Sequence, residues 1–230
     1  MIENIFILKQ NSYHTANFIK NKILEGKIIN IIGDNAEFGP RALGNTSTIC
    51  LPTKENSEYI NKCNNRINEM PMAPILLEEN LDYFFYQHEY VKCLDILKYM
   101  IITLKYKKHI YNDINYSGII HNHPIEDYYT GRPQVLFKDQ KKHILYEALQ
   151  MLNDINIKSL INTSFNIHGL TTALFLEHIV HDFKYQKKLD NENKIILVFI
   201  TKYVKYTNYF YKKINYYLNK NKKHNLIKIL

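Results

Sequence analysis

Arg41, Arg66 and Arg132 are the three arginines of a chain that carries thirty Lys and Arg in all. Where lysine serves at almost every cationic position, each arginine points to a need for a planar fork of donors, which suits phosphate or carboxylate better than a point charge does. Arg41 lies in the stretch E-F-G-P-R-A-L-G-N at 37–45, directly after the apolar run I-I-N-I-I at 28–32. Pro40 fixes one φ, and Gly39 and Gly44 permit conformations that other residues resist. Such a loop can turn successive backbone N–H groups towards one point and make an anion nest, to which Arg41 would add its guanidinium. Read alone, the stretch fits a Gly-Pro turn with a solvated arginine better than an anion site.

The second polar cluster is N-T-S-F-N at 162–166, after the strand-like S-L-I. Its short polar heads are expected where a strand ends and the chain turns, a common ligand position in α/β sheets. Ser164 could donate to a phosphate or carbonyl oxygen, and Asn162 and Asn166 could read a base or ribose. The alternative is a turn whose Asn and Ser side chains bond their own backbone. The third cluster is Arg66 together with Arg132 and Gln134 of G-R-P-Q. His121 and His123 of H-N-H-P stand two apart on an extended segment, without a third ligand pattern, and are expected to be a surface or partly buried pair rather than a metal site. Cys50, Cys63 and Cys93 are widely spaced and odd in number, which fits free thiols in a reducing compartment.

The elements that must position these groups follow from periodicity. A helix is expected over 12–25, with Ser12 as cap, Ala16, Ile19, Ile23 and Leu24 as its apolar stripe and Gly26 as its stop. Buried strands are expected at 28–32, 47–51 and 159–161, a final strand at 194–201, and a short one at 135–137. P-M-A-P-I-L-L at 71–77 must be extended near its prolines. Helices are expected at 55–66, 141–152 and 176–187, with a short one near Leu76–Phe85, and weaker strands at 94–104 and 117–121. The 141–152 helix would bury Ile144, Leu145, Ala148, Leu149 and Leu152 on one face. Interleaved strands and helices imply an α/β, mixed-sheet fold.

The net charge of +8 is uneven: seven lysines and no acid fall in 204–230, which leaves about +1 for residues 1–203. Two regions are therefore expected, a nearly neutral body at 1–203 and a basic, Tyr- and Lys-rich tail at 204–230. The tail could be a basic amphipathic helix or a loosely ordered end. No apolar run reaches the roughly 20 residues of a membrane span, and no secretory signal opens the chain, so a cytoplasmic location is expected.

In order and spacing these motifs resemble the C-terminal domain of the O-carbamoyltransferases, the family of nodulation-type and antibiotic-decorating enzymes. The family pattern runs roughly E-F-G-P-R-A-L-G-N-R-S, then K-x-R-E-x-F-R-P-F-A-P with a following L-E-E, then R-V-Q-T-V, then L-N-T-S-F-N-x-R-G-E-P. The chain reads E-F-G-P-R-A-L-G-N-T-S at 37–47, N-N-R-I-N-E-M-P-M-A-P at 64–74, L-E-E at 77–79, R-P-Q-V-L at 132–136 and I-N-T-S-F-N-I-H-G-L-T at 161–171. The resemblance spans about residues 12–200. It implies a YrdC-like α/β fold, a twisted mixed sheet flanked by helices, as in threonylcarbamoyl-AMP synthase. It also implies that the domain binds ATP, with its Mg²⁺, and carbamoyl phosphate, and makes carbamoyl-adenylate. Carried over by position, Arg66 matches the arginine of the YrdC-like K-x-R, and Ser164 and Asn166 match its S-x-N.

The departures fall on cations. Asn64 stands for the signature lysine. Asn35, Thr46, Met70 and His168 each stand where the family has arginine, and Leu170 and Thr171 replace a Glu-Pro pair. A charge-assisted hydrogen bond is worth roughly 1.5–3 kcal/mol, so several losses would weaken polyphosphate binding by many factors of ten. The chain begins almost at the start of the family's C-terminal domain, and the transfer domain, of an actin-like ATPase type, is expected on a separate partner chain. One reading is therefore the adenylating half of a split carbamoyltransferase, with Arg41, Arg66 and Ser164 in catalytic roles and Asn162, Asn166, Arg132 and Gln134 binding nucleotide. A second is a catalytically decayed nucleotide-binding or interaction protein of the same fold. Nucleic-acid binding through the tail is a minor third.

Overall fold

The structure is a computed structural model that describes residues 4–10, 13–37, 39–67, 72–123, 125–170, 173, 175–202, 212–214, 216 and the backbone of 227–229. Ser12, Met70, Thr171 and most of the expected tail lie outside the described residues. Two parts of 204–230 are described: Ile214 is fully buried in the core, and Ile227–Ile229 forms a strand.

The main sheet among the described residues is built from β1 (Ile5–Lys9), β2 (Ile28–Ile32), β3 (Thr46–Cys50), β4 (Ala73–Leu77), β8 (Gln134–Leu136), β9 (Ser159–Ser164), β10 (Ile195–Thr201) and β11 (Ile227–Ile229). Its order is β11-β1-β10-β2-β3-β9-β4-β8. A smaller sheet has the order β5-β7-β6, from β5 (Leu104–Lys105), β6 (His121–Asn122) and β7 (Tyr129–Gly131). The pairing is mixed: β1, β10 and β2 run parallel, while β3 pairs antiparallel with β2 and with β9. This is the expected α/β architecture.

The strands are apolar on both faces because both faces are covered. In β10, Ile195, Leu197 and Phe199 enter one core and Ile196, Val198 and Ile200 the other. Helices α1 (Tyr13–Leu24) and α5 (Tyr146–Asn153) cover the second face with Ala16, Ile19, Ile23, Ala148, Leu149 and Leu152. Helices α2 (Lys54–Cys63) and α6 (Leu176–Leu189) cover the first with Tyr59, Ile60, Ile179 and Phe183. Each fully buried Ile or Leu is worth about 1.5–3 kcal/mol, so two full faces supply the driving force for the sandwich. The short helices α3 (Leu81–Phe84) and α4 (Gln87–Tyr90) carry an aromatic cluster in which Phe84 packs edge-on to Tyr116 and Phe85 stacks on Tyr106.

Several expectations are corrected. Leu24 is 49% exposed and does not join the α1 stripe. Residues 94–99 form a 3₁₀ helix, not a strand, because Leu94, Leu97 and Met100 fall three apart and all pack inward, and Met100 then turns left-handed at φ 55. The 117–121 strand shrinks to β6, since Gly118 turns there with its N–H on the Pro52 carbonyl at 2.8 Å. Leu76 and Leu77 belong to β4, so the helical turns after it begin at Glu78. Helix α5 starts at Tyr146, because His143 Nδ1 accepts the Leu145 N–H and holds 141–145 in turns. The strand β9 continues through Asn162, Thr163 and Ser164, so the chain turns only at Phe165. Strand β1 was not anticipated.

Candidate functional site

The loop at 39–45 is held by Glu37 at its start and by four side chains from elsewhere in the chain, Ser47, Gln134, His143 and Asn162. Glu37 Oε1 accepts the N–H groups of Leu43 (2.8 Å), Asn45 (2.7 Å) and Thr46 (3.0 Å). Ser47 Oγ accepts from the Gly44 N–H at 2.8 Å. The carbonyls are tied as well: Gln134 Nε2 (2.9 Å) and His143 Nε2 (2.7 Å) both donate to Leu43 O, and Asn162 Nδ2 donates to Ala42 O at 3.0 Å. Gly44 is required twice over, by its φ of +107 and because a Cβ would meet His143 Cε1 at 2.6 Å. The loop backbone is thus fixed by its own neighbours, and the Arg41 side chain is left to the cleft.

Arg66 is placed by the end of α2. Asn65 is left-handed at φ 55, Arg66 N–H bonds Asn61 O at 2.8 Å and Asn65 N–H bonds Lys62 O at 3.2 Å. This double bond pattern is a Schellman motif, which fixes the direction in which the chain leaves the helix. Arg66 Nη1 then donates to Thr163 Oγ1 at 2.5 Å. Arg132 follows Gly131, where a Cβ would overlap the Tyr106 hydroxyl, and precedes β8.

The three arginines meet in one cleft of about 690 Å³, between the ends of β9, β4 and β8 and the small sheet. Asn162, Thr163 and Ser164 line it from β9, and His121, Asn122, His123 and Thr130 line the opposite wall. Among the described residues its lining includes no acidic side chain, and none of the arginines has an ion pair. The Nε atoms of Arg41 and Arg132 are buried without a hydrogen-bond partner. Burial lowers the pKa of Arg132, and the nearby Arg41 cation lowers it further; burial also lowers that of Arg66. Cations that are desolvated, unpaired and mutually repulsive are costly by themselves and would be stabilised by an anion.

The sequence-predicted residues therefore divide. Arg41, Arg66, Arg132, Asn162 and Ser164 line the cleft. Gln134 is buried behind it and braces the loop, and Asn166 bonds the carbonyls of Ile167 and Leu170. Asn64, at the signature-lysine position, is 0% exposed and sits in a buried polar chain: its Oδ1 accepts from Gln186 Nε2 (2.5 Å), Gln186 Oε1 accepts from Asn30 Nδ2 (2.6 Å), and Asn30 Oδ1 accepts from Thr48 Oγ1 (2.6 Å). Asn35 and His168 are exposed, and Thr46 is buried in β3. Sequence reasoning missed the bracing roles of Glu37 and His143 and the place of His121 and His123 on the cleft wall. Glu37 was visible inside its motif; nothing local marked His143, whose partner lies far away in the chain.

His121 Nε2 bonds the Met72 carbonyl at 2.9 Å, so that nitrogen carries the proton. Burial holds its pKa below the usual histidine value, the Met72 bond opposes this and Arg132 adds to it. The His123 ring stacks on Tyr128 at 4.5 Å, with Nδ1 accepting from Glu126 N–H at 3.1 Å. Among the described residues no cluster of three or more His, Cys, Asp or Glu could hold a metal. The thiols fit structural roles: burial pushes Cys63 up to about 11. No helix among the described residues is long and apolar enough to cross a membrane.

Comparison with solved structures places the fold. The hypothetical protein smu.1377c from Streptococcus mutans UA159 superposes with a TM-score of 0.53 at 11% identity, over 96% of this chain and 75% of that one. Full-length HypF in its phosphate- and nucleotide-bound form gives 0.52 at 16% identity, over 80% of this chain and 24% of HypF. P. abyssi Sua5 complexed with L-threonine gives 0.51 at 14%, over 85% and 49%. The fold is YrdC-like.

Among sequence relatives, the uncharacterized protein MJ1051 of Methanocaldococcus jannaschii is 38% identical over 151 residues, 66% of this chain and 27% of that protein. The nodulation protein NolO of Bradyrhizobium diazoefficiens is 29% identical over 109 residues, 46% of this chain and 20% of NolO. The chain spans about a quarter of the length of the curated relatives it matches. The family profile described as carbamoyltransferase C-terminus matches residues 20–194, so this chain belongs to the carbamoyltransferase C-terminal family.

Proposed function

We propose that the cleft binds ATP and carbamoyl phosphate and forms carbamoyl-adenylate, which a separate domain of actin-like ATPase type transfers to its acceptor. The observation that carries this reading is the convergence of Arg41, Arg66 and Arg132 on one cleft. Hydrolysis of carbamoyl phosphate releases carbamate and inorganic phosphate. A carbamate oxygen then attacks the α-phosphorus of ATP, the bond to the β-phosphate oxygen breaks, and pyrophosphate leaves. No group of the chain is consumed, so its part is positioning and charge stabilisation, with the guanidiniums opposite the phosphates and Ser164 donating from the strand end. Magnesium would arrive with the ATP, bound mainly by its phosphates and by water. The phosphate and nucleotide bound to HypF support the same use of the fold.

The second reading, a nucleotide-binding remnant without turnover, is favoured by Asn64, which lies in the core chain with Gln186 in place of the signature lysine. Isothermal titration of Mg-ATP, with and without carbamoyl phosphate, followed by pyrophosphate release, tests both. Micromolar binding that is lost in Arg41→Ala, with pyrophosphate produced, supports the adenylating reading. Binding without pyrophosphate supports the remnant. No heat at millimolar nucleotide overturns both.

A further inference from the structure

Asn162 carries an acceptor that the protein itself leaves unused. Its residue is 0% exposed, its Nδ2 donates to Ala42 O (3.0 Å) and to Gln134 Oε1 (2.5 Å), and its Oδ1 is buried with no hydrogen-bond partner. The amide cannot be flipped. Gln134 Nε2 must face the Leu43 carbonyl, which only accepts, so Gln134 Oε1 must face Asn162, and Asn162 must answer it with Nδ2. Two amides lock each other, and the orphan oxygen follows. A buried acceptor without a partner is costly, and native structures rarely keep one without a use.

Asn162 lines the arginine cleft, at the floor beneath the residue next to Arg41. Phosphate oxygens are acceptors and cannot satisfy Oδ1. An amino group can. We infer that Asn162 Oδ1 accepts a hydrogen bond from the –NH₂ of the carbamoyl group and so selects carbamoyl phosphate over acyl phosphates that lack an N–H. This assignment rests on the proposed binding of carbamoyl phosphate at the same cleft. The adenine amino group is the other –NH₂ in that reaction. Oδ1 has no accessible surface in the unliganded chain, so any donor must shift the braced loop to reach it, and the small carbamoyl group needs less of that shift than a purine edge.

Acetyl phosphate is the discriminating probe, since it replaces –NH₂ by –CH₃ at nearly equal size. Titration into the unmodified full chain is expected to show carbamoyl phosphate binding about tenfold or more tightly than acetyl phosphate, because a site built to bond an N–H rejects the analogue without it. In Asn162→Leu, checked by circular dichroism for retained fold, the ratio is expected to fall to about one. Equal affinity in the unmodified chain overturns the assignment and leaves the anion site intact. A preference for ATP over ITP that Asn162→Leu abolishes, with no preference between the acyl phosphates, moves the hydrogen bond to the base and overturns the assignment too. Binding of neither acyl phosphate overturns it together with the reading on which it rests.

Discussion

Glu37 and Arg41 lie one loop apart and form no ion pair. The Glu37 carboxylate turns under the loop to the N–H groups of Leu43, Asn45 and Thr46, while the Arg41 guanidinium faces the cleft with its Nε unpartnered. An acid and a base that could have neutralised each other are held apart. The acid organises backbone, and the cation stays available.

Arg41→Ala is therefore expected to separate binding from stability. Loss of a charge-assisted contact should weaken Mg-ATP binding by about 1.5–3 kcal/mol, roughly 10- to 150-fold. Stability should change by less than about 1 kcal/mol or rise, since the variant removes a cation that repels Arg132. Titration calorimetry and urea denaturation on the same preparation read both. A large loss of stability would mean that Arg41 is structural.

Glu37→Ala should do the reverse in stability. Three backbone donors lose their shared acceptor, at an expected cost of about 3 kcal/mol, and nucleotide affinity should fall although Glu37 does not line the cleft. Glu37→Gln keeps one amide oxygen and should recover part of both. A fully stable Glu37→Ala would show that the loop does not depend on this acceptor.

His143 predicts a pH slope. Its burial holds the imidazole pKa below the usual histidine value, against the opposing Leu43 bond and Glu37 charge. Between the folded and unfolded values the unfolded chain binds more protons, so stability rises with pH there. The contribution is present above the unfolded value of about 6.5 and is lost as pH falls through the folded value. His143→Gln can still donate to Leu43 O, and its stability should be flatter between about pH 5 and pH 7 than that of the unmodified chain. Identical slopes would refute this.

Asp190 governs a second, more acidic limb. Burial raises its pKa, but Lys187 Nζ (2.5 Å), the Tyr59 hydroxyl (2.7 Å) and the N–H groups of Lys194 and Ile195 outweigh this and leave it lowered. Its stabilisation is present above the unfolded value of about 3.9 and lost as pH falls through the folded one. Asp190→Asn takes the charge partner from the half-buried Lys187, which keeps its bonds to Asn193 Oδ1 and the Ile195 carbonyl, and should cost about 1–3 kcal/mol at pH 7 while removing this part of the acid transition. Urea denaturation between pH 7 and pH 3 checks it.

Much of this was legible in the chain. Apolar runs such as Ile28–Ile32 and Ile195–Thr201 could only be doubly covered strands, and the stop at Gly26 and the α1 stripe read correctly except at Leu24. The 94–99 segment misread because a spacing of three is compatible with a 3₁₀ turn as well as with irregular strand, and neighbouring packing decided between them. The E-F-G-P-R-A-L-G-N and N-T-S-F-N motifs identified the family, because their side chains are fixed by spacing along the chain.

What the sequence determined by itself was local: which segments are apolar on both faces, where helices stop, and which residues carry cations, amides and hydroxyls. Tertiary structure decided who meets whom. It put Thr163 beside Arg66 and His143 under Leu43, turned Glu37 away from Arg41, and sent Asn64 into the core with Gln186. It also fixed the facing amides of Gln134 and Asn162, and with them the unused oxygen. These are contacts across strands and loops far apart in the chain, and their register is set by how the sheet pairs and how two cores fill, which no short window of residues encodes.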